Sequence, residues 1–176
     1  RPPRAPRPAI LTLSARTPQG LRARARQLLD VLEARPAWDG DALTSLAFTL
    51  QVGREPMAAR LAFAATDLST CRERLRTFVS CEAQAPAPRA QGLFTAVLSE
   101  AALQRASPGE AALLERVAQG AHDDIAREWT EGTPWPWAAL YGEHPPHRLA
   151  LPTYPFEGER YWLDAAEPPR VAVSYT

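Results

Sequence analysis

The stretch Leu46-Ala47-Phe48-Thr49-Leu50-Gln51-Val52-Gly53-Arg54-Glu55-Pro56-Met57-Ala58-Ala59-Arg60-Leu61-Ala62-Phe63-Ala64-Ala65 decides the fold. Its first part continues the helical spacing of Leu43, Leu46, Ala47 and Leu50, a short amphipathic helix started by Asp39-Gly40-Asp41. Gly53 stops it as a left-handed C′ residue. Arg54-Glu55-Pro56 turns the chain. Leu61, Phe63 and Ala65 then alternate with Arg60, Ala62 and Ala64, as in a strand with one buried face. Helix and strand so close together make a mixed fold.

Working back toward the start, Ala9-Ile10-Leu11-Thr12-Leu13-Ser14 is apolar and β-prone. Thr17-Pro18 offers a cap and a first-turn proline. Leu21, Ala25, Leu28, Leu29 and Leu32 then recur at helical spacing, opposite Arg22, Arg24, Arg26 and Asp30, and the helix ends near Arg35-Pro36. Working forward, Asp67, Ser69 or Thr70 caps a third helix with Leu68, Cys71, Leu75 and Phe78 or Val79 on its apolar side. Gln84 to Arg89 is too proline-rich for an element, and Gly92 to Leu98 reads as a third strand. The reading is an α+β fold, a small three-stranded sheet packed against helices.

Ser107-Pro108-Gly109-Glu110 has the pattern of a capping box with proline at the first helical position. Leu114, Val117, Ala118, Ala121, Ile125 and Trp129 extend it, so the sequence predicts one long helix to Gly132, the longest in the chain. A short helical turn follows at Trp135-Pro136-Trp137 to Tyr141. Last comes the ribbon Leu149-Ala150-Leu151-Pro152-Thr153-Tyr154-Pro155-Phe156 through Arg160-Tyr161-Trp162, kept extended by its prolines. Aromatics on a segment unable to fold on itself must be covered by another surface. Either the ribbon packs only on this chain's own core, or it also straps onto a neighbouring domain, a common use of Tyr and Trp.

Composition excludes several functions. With 20 basic and 20 acidic residues interspersed, the chain has no net field to recruit nucleic acid or a membrane surface. All 20 positive residues are Arg and Asn is absent, which points to a GC-rich, bacterial coding bias. No apolar run is long enough to span a bilayer, and no signal-peptide pattern is present, so a cytoplasmic location is expected. Both ends resemble cuts through linkers of a larger polypeptide. At 176 residues the chain can bury about 68–70% of its unfolded surface without staples.

Chemistry-bearing patterns are weak. Cys71 and Cys81 form no metal-ligand pair, His122 sits among charged residues, and His144 and His147 flank Pro145-Pro146 with no third ligand. No nucleophile elbow, phosphate loop or dinucleotide fingerprint occurs. A small hydrolase would need Ser or Cys beside a His. Neither cofactor nor metal is implied, and the residues that stand out are packing and interface residues.

These motifs resemble a known family. Leu11 to Pro18 with Leu21-Arg22, then Leu46 to Ala62, look like the segment after the ketosynthase in bacterial modular polyketide synthases. Trp129-Thr130-Glu131-Gly132, Trp137 and the Tyr154-Pro155-Phe156 to Trp162 ribbon are similar to its post-acyltransferase linker. Synthases with a built-in acyltransferase carry that catalytic domain between the two parts, with a Gly-His-Ser-x-Gly turn. Here about thirty residues join Leu98 to Trp129, and no such turn exists. The resemblance is therefore to the trans-acyltransferase class, and it implies a non-catalytic docking and spacer domain recruiting a discrete malonyl acyltransferase.

The implied division is a linker from the ketosynthase at 1–8, an α+β flanking subdomain at 9–98, a helical connection replacing the acyltransferase at 99–143, the ribbon at 144–164 and a linker tail at 165–176. Trp137, Tyr154, Pro155, Phe156, Arg160, Tyr161 and Trp162 are implied to pack on this domain and the ketosynthase. Arg22, Arg26, Arg89 and Phe94 are the candidate acyltransferase-docking residues. Trp135-Pro136 replaces the family's usual Val-Asp, removing a possible capping acceptor. The alternative function is a structural strut or a lateral contact between neighbouring synthase copies.

Overall fold

The computed structural model describes residues 7–81 and 92–152. Three strands, β1 (Ala9–Ala15), β2 (Ala59–Ala65) and β3 (Phe94–Val97), form an antiparallel sheet in the order β1-β2-β3. The register pairs Leu11 with Phe63, Leu13 with Leu61, and Leu61 in turn with Thr95. Among the described residues five helices pack around it: α1 (Pro18–Glu33), α2 (Gly40–Val52), α3 (Leu68–Ser80), α4 (Glu110–Ala118) and α5 (His122–Thr130). The α+β reading holds.

Local chemistry starts the first three helices where the sequence places them. Thr17 Oγ1 accepts from Gly20 N at 3.1 Å, Asp39 Oδ1 accepts from Asp41 N at 3.1 Å, and Asp67 Oδ1 accepts from Thr70 N at 2.6 Å. Each satisfies an orphan donor of a first turn, worth about 1 kcal/mol. The hydrogen bonds to Asp67 hold its carboxyl below the usual carboxylate range. Gly53 does end α2, but with φ of −78° rather than left-handed. A Cβ there would lie 2.6 Å from the Thr49 carbonyl oxygen, so close approach, not handedness, calls for glycine.

Both faces of the sheet are covered, which corrects the single buried face expected of β2. Leu11, Leu13, Leu61 and Phe63 point into one core with Leu28 and Leu32 of α1, Leu46 of α2 and Leu75 of α3. Ile10 and Ala62 point into a second core with Leu113, Ile125, Ala126, Trp129, Trp135 and Trp137. Alternation predicted which residues share a face. It could not say that α4 and α5 close over the other one, because small Ala62 reads as neutral between core and surface.

The predicted long helix is two. α4 and α5 are broken at Gly120, with φ of +76°, and the buried contacts of α4 come from Leu113 rather than Leu114, which is 47% exposed. The break re-phases the apolar stripe, so α5 buries Ile125, Ala126 and Trp129 on β2. Among the described residues the longest helix is therefore α1. The Ser107 capping box does not form either: Ser107 Oγ accepts from Gly109 N at 3.2 Å, and Gly109 stands at the N-cap with φ of +96°.

α2 is buried almost all round rather than amphipathic. Beyond Leu46 and Leu50, it buries Phe48, Thr49 and Gln51 on its far side. The cover there is a 3-10 turn, Trp137–Leu140, with Tyr141 and the start of the ribbon.

Candidate interaction site

The ribbon's first residues seat on α2. Leu149 N donates to Thr49 Oγ1 at 2.9 Å, and Arg54 Nη2 donates to the Pro152 carbonyl at 3.0 Å. Leu149 and Leu151 pack against the first core, and the Arg148 guanidinium lies 5.9 Å from the Phe48 ring centre. This part of the ribbon is packed on its own domain. Tyr154, Pro155, Phe156, Arg160, Tyr161 and Trp162 lie outside the described residues, as does Arg89.

Behind this seat runs a chain of polar contacts. Gln51 Nε2 donates to the Ile10 carbonyl at 2.7 Å, at the outer edge of β1. Its Oε1 accepts from the Tyr141 hydroxyl, and the Tyr141 ring meets Phe48 edge-on at 4.9 Å. Burial pushes the Tyr141 phenol well above its ordinary value. A second edge carbonyl, Ser14 O, accepts from Arg24 Nη1 at 2.8 Å. Arg24 is buried, although spacing had put it on the water-facing side of α1. Edge strands invite foreign pairing, and here side chains occupy these β1 acceptors.

On the other face, Arg60 of β2 is buried against Trp129. Its guanidinium lies 4.7 Å from the ring centre, Nη1 donates to the Trp129 carbonyl at 2.9 Å, and Nε donates to Met57 O at 2.9 Å. Desolvation lowers its pKa to about 10, so it stays charged at neutral pH, held by carbonyl dipoles and an indole face. Trp137 is buried in the same core. Phe94 is half-buried at the edge of that core.

Arg22 turns inward. Its Nη1 donates to Val79 O at 2.8 Å and to the carbonyls of Phe78 and Cys81, and its guanidinium lies 5.5 Å from the Phe78 ring centre. It clamps the C-terminal end of α3, where unsatisfied carbonyls gather. Arg26 is exposed on α1. The four proposed docking residues thus divide: Arg26 exposed, Arg22 engaged within the domain, Phe94 at a core margin, and Arg89 undescribed.

Among the described residues, no group of three or more His, Cys, Asp or Glu is placed to hold a metal, and His144 and His147 are exposed. Burial raises the Cys71 thiol to about 12, far from a reactive thiolate. No helix among the described residues is long and apolar enough to cross a membrane.

The comparisons agree with this architecture. Residues 12–82 match the family described as RhiE-like, KS-MAT linker domain. The chain is 37% identical over 161 residues to polyketide synthase PksL of Bacillus subtilis (strain 168), an alignment that covers 90% of this chain and 3% of that protein. Among solved structures it is similar to the ketosynthase from module 6 of the bacillaene synthase of Bacillus subtilis 168, with a TM-score of 0.68, 28% identity, and coverage of 89% of this chain and 26% of that one. The ketosynthase from module 1 of the bacillaene synthase of Bacillus amyloliquefaciens FZB42 gives 0.65 and 31%, over 85% and 25%.

The three-stranded sheet with helices over both faces places the described residues in the α+β class. Residues 12–82 carry the match to the RhiE-like, KS-MAT linker domain, and nine tenths of the chain aligns with a polyketide synthase. It spans about 3% of the length of the curated relative and about a quarter of the ketosynthase chains.

Proposed function

We propose that this chain is a non-catalytic spacer and docking domain of a modular polyketide synthase, which flanks the ketosynthase in the same polypeptide and recruits a discrete, trans-acting malonyl acyltransferase. The observation that carries the reading is the connection after β3. It returns through α4 and α5 to the face of β2, where Ile125, Ala126 and Trp129 complete the second core. In synthases with a built-in acyltransferase, the resemblance places a catalytic domain at this point of the chain. Here the flanking sheet and the linker after it close on each other.

Mechanistically the domain raises local concentration. A modest contact with the acyltransferase makes malonyl transfer to a nearby carrier protein nearly intramolecular. Its rigidity suits a spacer, since a sheet packed on both faces holds the segments entering and leaving it at fixed separation. Arg26 is the exposed member of the proposed docking residues and the first to substitute.

Isothermal titration of the 176-residue chain with the discrete acyltransferase of its own pathway, at low and moderate salt, tests the proposal. Saturable binding with an affinity on the order of tens of micromolar is expected, weakening with salt if Arg26 of α1 carries it. No heat at either salt, with a folded domain and an active acyltransferase, favours the strut or lateral-contact reading. Packing of the ribbon's first residues on α2 is the observation that favours that second reading.

A further inference from the structure

The two edges of the sheet differ. On β1 the outward carbonyls of Ile10 and Ser14 accept from Gln51 Nε2 and Arg24 Nη1. β3 has no such cover among the described residues. Leu98 N donates to the Ala58 carbonyl at 2.9 Å, and the register sets Arg60 opposite Ala96 and Ala62 opposite Phe94, so the hydrogen-bonded pairs of this ladder fall at Leu98, Ala96 and Phe94. Thr95 and Val97, between them, turn their N–H and C=O groups away from β2. No described residue makes a backbone bond to them there.

An apolar groove lies beside that edge. Its volume is about 170 Å³, and Leu21 of α1, Phe78 of α3, and Thr95 and Val97 of β3 line it. Val97 is 63% exposed. An unpaired edge, an exposed β-branched residue and an adjoining apolar groove together form the surface that strand addition uses. Main-chain hydrogen bonds hold an added strand, and its alternate side chains enter the groove.

The chain contains a segment of matching chemistry. Residues 1–6 and 82–91 carry prolines and no Val, Ile, Leu or aromatic residue. In the tail, Val171-Ala172-Val173-Ser174-Tyr175-Thr176 is free of proline and alternates Val, Val and Tyr with small or polar residues, the pattern of a strand with one apolar face. It can reach the edge. Arg54 holds the Pro152 carbonyl at 3.0 Å and shortly precedes Ala59, the β2 residue opposite Val97. That path from Pro152 to Val97 is at most about 40 Å, whereas the chain from Pro152 to Val171 spans up to about 60 Å. The ribbon starts near the end of the sheet where β3 finishes, so a strand entering from there runs antiparallel to β3.

We propose that residues 171–176 of this same chain add to β3 as a fourth, antiparallel strand, with Val171 and Val173 covering Val97 and the groove. Side chains on one face of an antiparallel pair stand opposite one another, which sets Val171 against Val97 and Val173 against Thr95. Both are hydrogen-bonded pairs: Val173 N donates to the Thr95 carbonyl, and Val171 N to the Val97 carbonyl. Arg170 then lies toward the exposed Glu100 just past β3. Because the strand is tethered, pairing is intramolecular and needs little intrinsic affinity. It closes the edge to foreign strands. The exposed Arg26 does not line the groove, so strand addition and acyltransferase docking can each fail without the other.

The test is amide hydrogen exchange of the full chain, followed residue by residue by NMR, against Val173→Pro, which removes the donor to Thr95. The Thr95 and Val97 amides are expected to exchange at least about tenfold more slowly in the unchanged chain than in the variant. Phe94 and Ala96, whose amides face β2, should keep their rates and so report that the sheet is intact. Nuclear Overhauser contacts between the Val97 and Val171 methyls are expected in the unchanged chain and lost in Val173→Pro. Equal exchange of Thr95 and Val97 in the two proteins overturns the proposal. Protection that survives Val173→Pro and falls on dilution also overturns it, by assigning the edge to a second copy of the chain.

Discussion

The Tyr141 hydroxyl donates to Gln51 Oε1 across 90 positions of sequence, while the same amide's Nε2 donates 2.7 Å to the Ile10 carbonyl. One glutamine thus joins the edge of β1 to the turn from which the ribbon departs. Neither partner can be lost without leaving a buried group exposed to the low dielectric of the interior.

Tyr141→Phe is therefore expected to cost about 1–2 kcal/mol, seen in urea unfolding as a lower midpoint at unchanged slope. The pH dependence has a definite sign. Burial raises the phenol pKa in the folded chain above its ordinary value of 10.0, so above that pH the unfolded chain releases a proton that the folded chain keeps. The contribution is whole below pH 10 and falls as pH rises further. Wild type should lose stability more steeply than Tyr141→Phe between about pH 9 and 11, and parallel curves would show that the phenol is not buried.

Arg22 and Arg26 lie one helical turn apart and should behave differently. Arg22→Ala removes the clamp on the Val79 and Phe78 carbonyls and is expected to destabilise by about 1–3 kcal/mol. Arg26→Ala, on an exposed position, should stay within about 0.5 kcal/mol. Denaturant melts of the two variants check this, and a loss of acyltransferase binding is interpretable only in Arg26→Ala. Equal stability of both variants would mean that Arg22 does not close α3.

Gly132 and Gly120 both have positive φ, +111° and +76°. A Cβ on Gly132 would come within 2.5 Å of the Ala102 carbonyl oxygen, whereas one on Gly120 meets nothing within 4 Å. Gly132→Ala should thus cost about 2–3 kcal/mol and Gly120→Ala about 1 kcal/mol, the left-handed backbone alone. Thermal unfolding distinguishes them, and reversal of that order would contradict the packing at Gly132.

Ile125→Ala addresses the second core. A fully buried side chain between α5 and β2 should cost about 2–5 kcal/mol on truncation. Because Trp129 and Trp135 share that core, their fluorescence should change in the folded variant. A cost below about 1 kcal/mol would mean that α5 does not pack on the sheet, and the spacer reading would lose its main support.

Thiol chemistry gives an independent check. Cys71 is fully buried with a pKa near 12, while Cys81 is half-buried. Iodoacetamide at pH 8 should label Cys71 only after denaturation, with mass spectrometry of the peptides as readout. Rapid native labelling of Cys71 would contradict the packing of α3.

Much of the fold was legible because it rests on local rules. Thr17-Pro18, Asp39 and Asp67 start helices through bonds to amides two or three residues away, and Leu68, Cys71, Leu75 and Phe78 share a face by spacing alone. The α4–α5 break was not legible. Gly120 inside an apolar pattern reads as a tolerated helical glycine, and only the need to lay Ile125 and Trp129 on β2 makes the bend favourable. Of the candidate site, Trp137 and the start of the ribbon could be read from rigid, aromatic sequence. Gln51, Tyr141, Arg24 and Arg60 could not, since a polar residue's burial depends on which distant carbonyl it reaches.

Capping, periodicity and motif are short-range properties, and they fixed the order of the three strands and the first three helices together with the linker resemblance. Coverage of both sheet faces, the inward turn of Arg22 beside an exposed Arg26, and the separation of α4 from α5 were settled by the tertiary structure. Those outcomes depend on contacts between residues tens of positions apart, where desolvation and hydrogen-bond satisfaction, rather than local preference, select the arrangement.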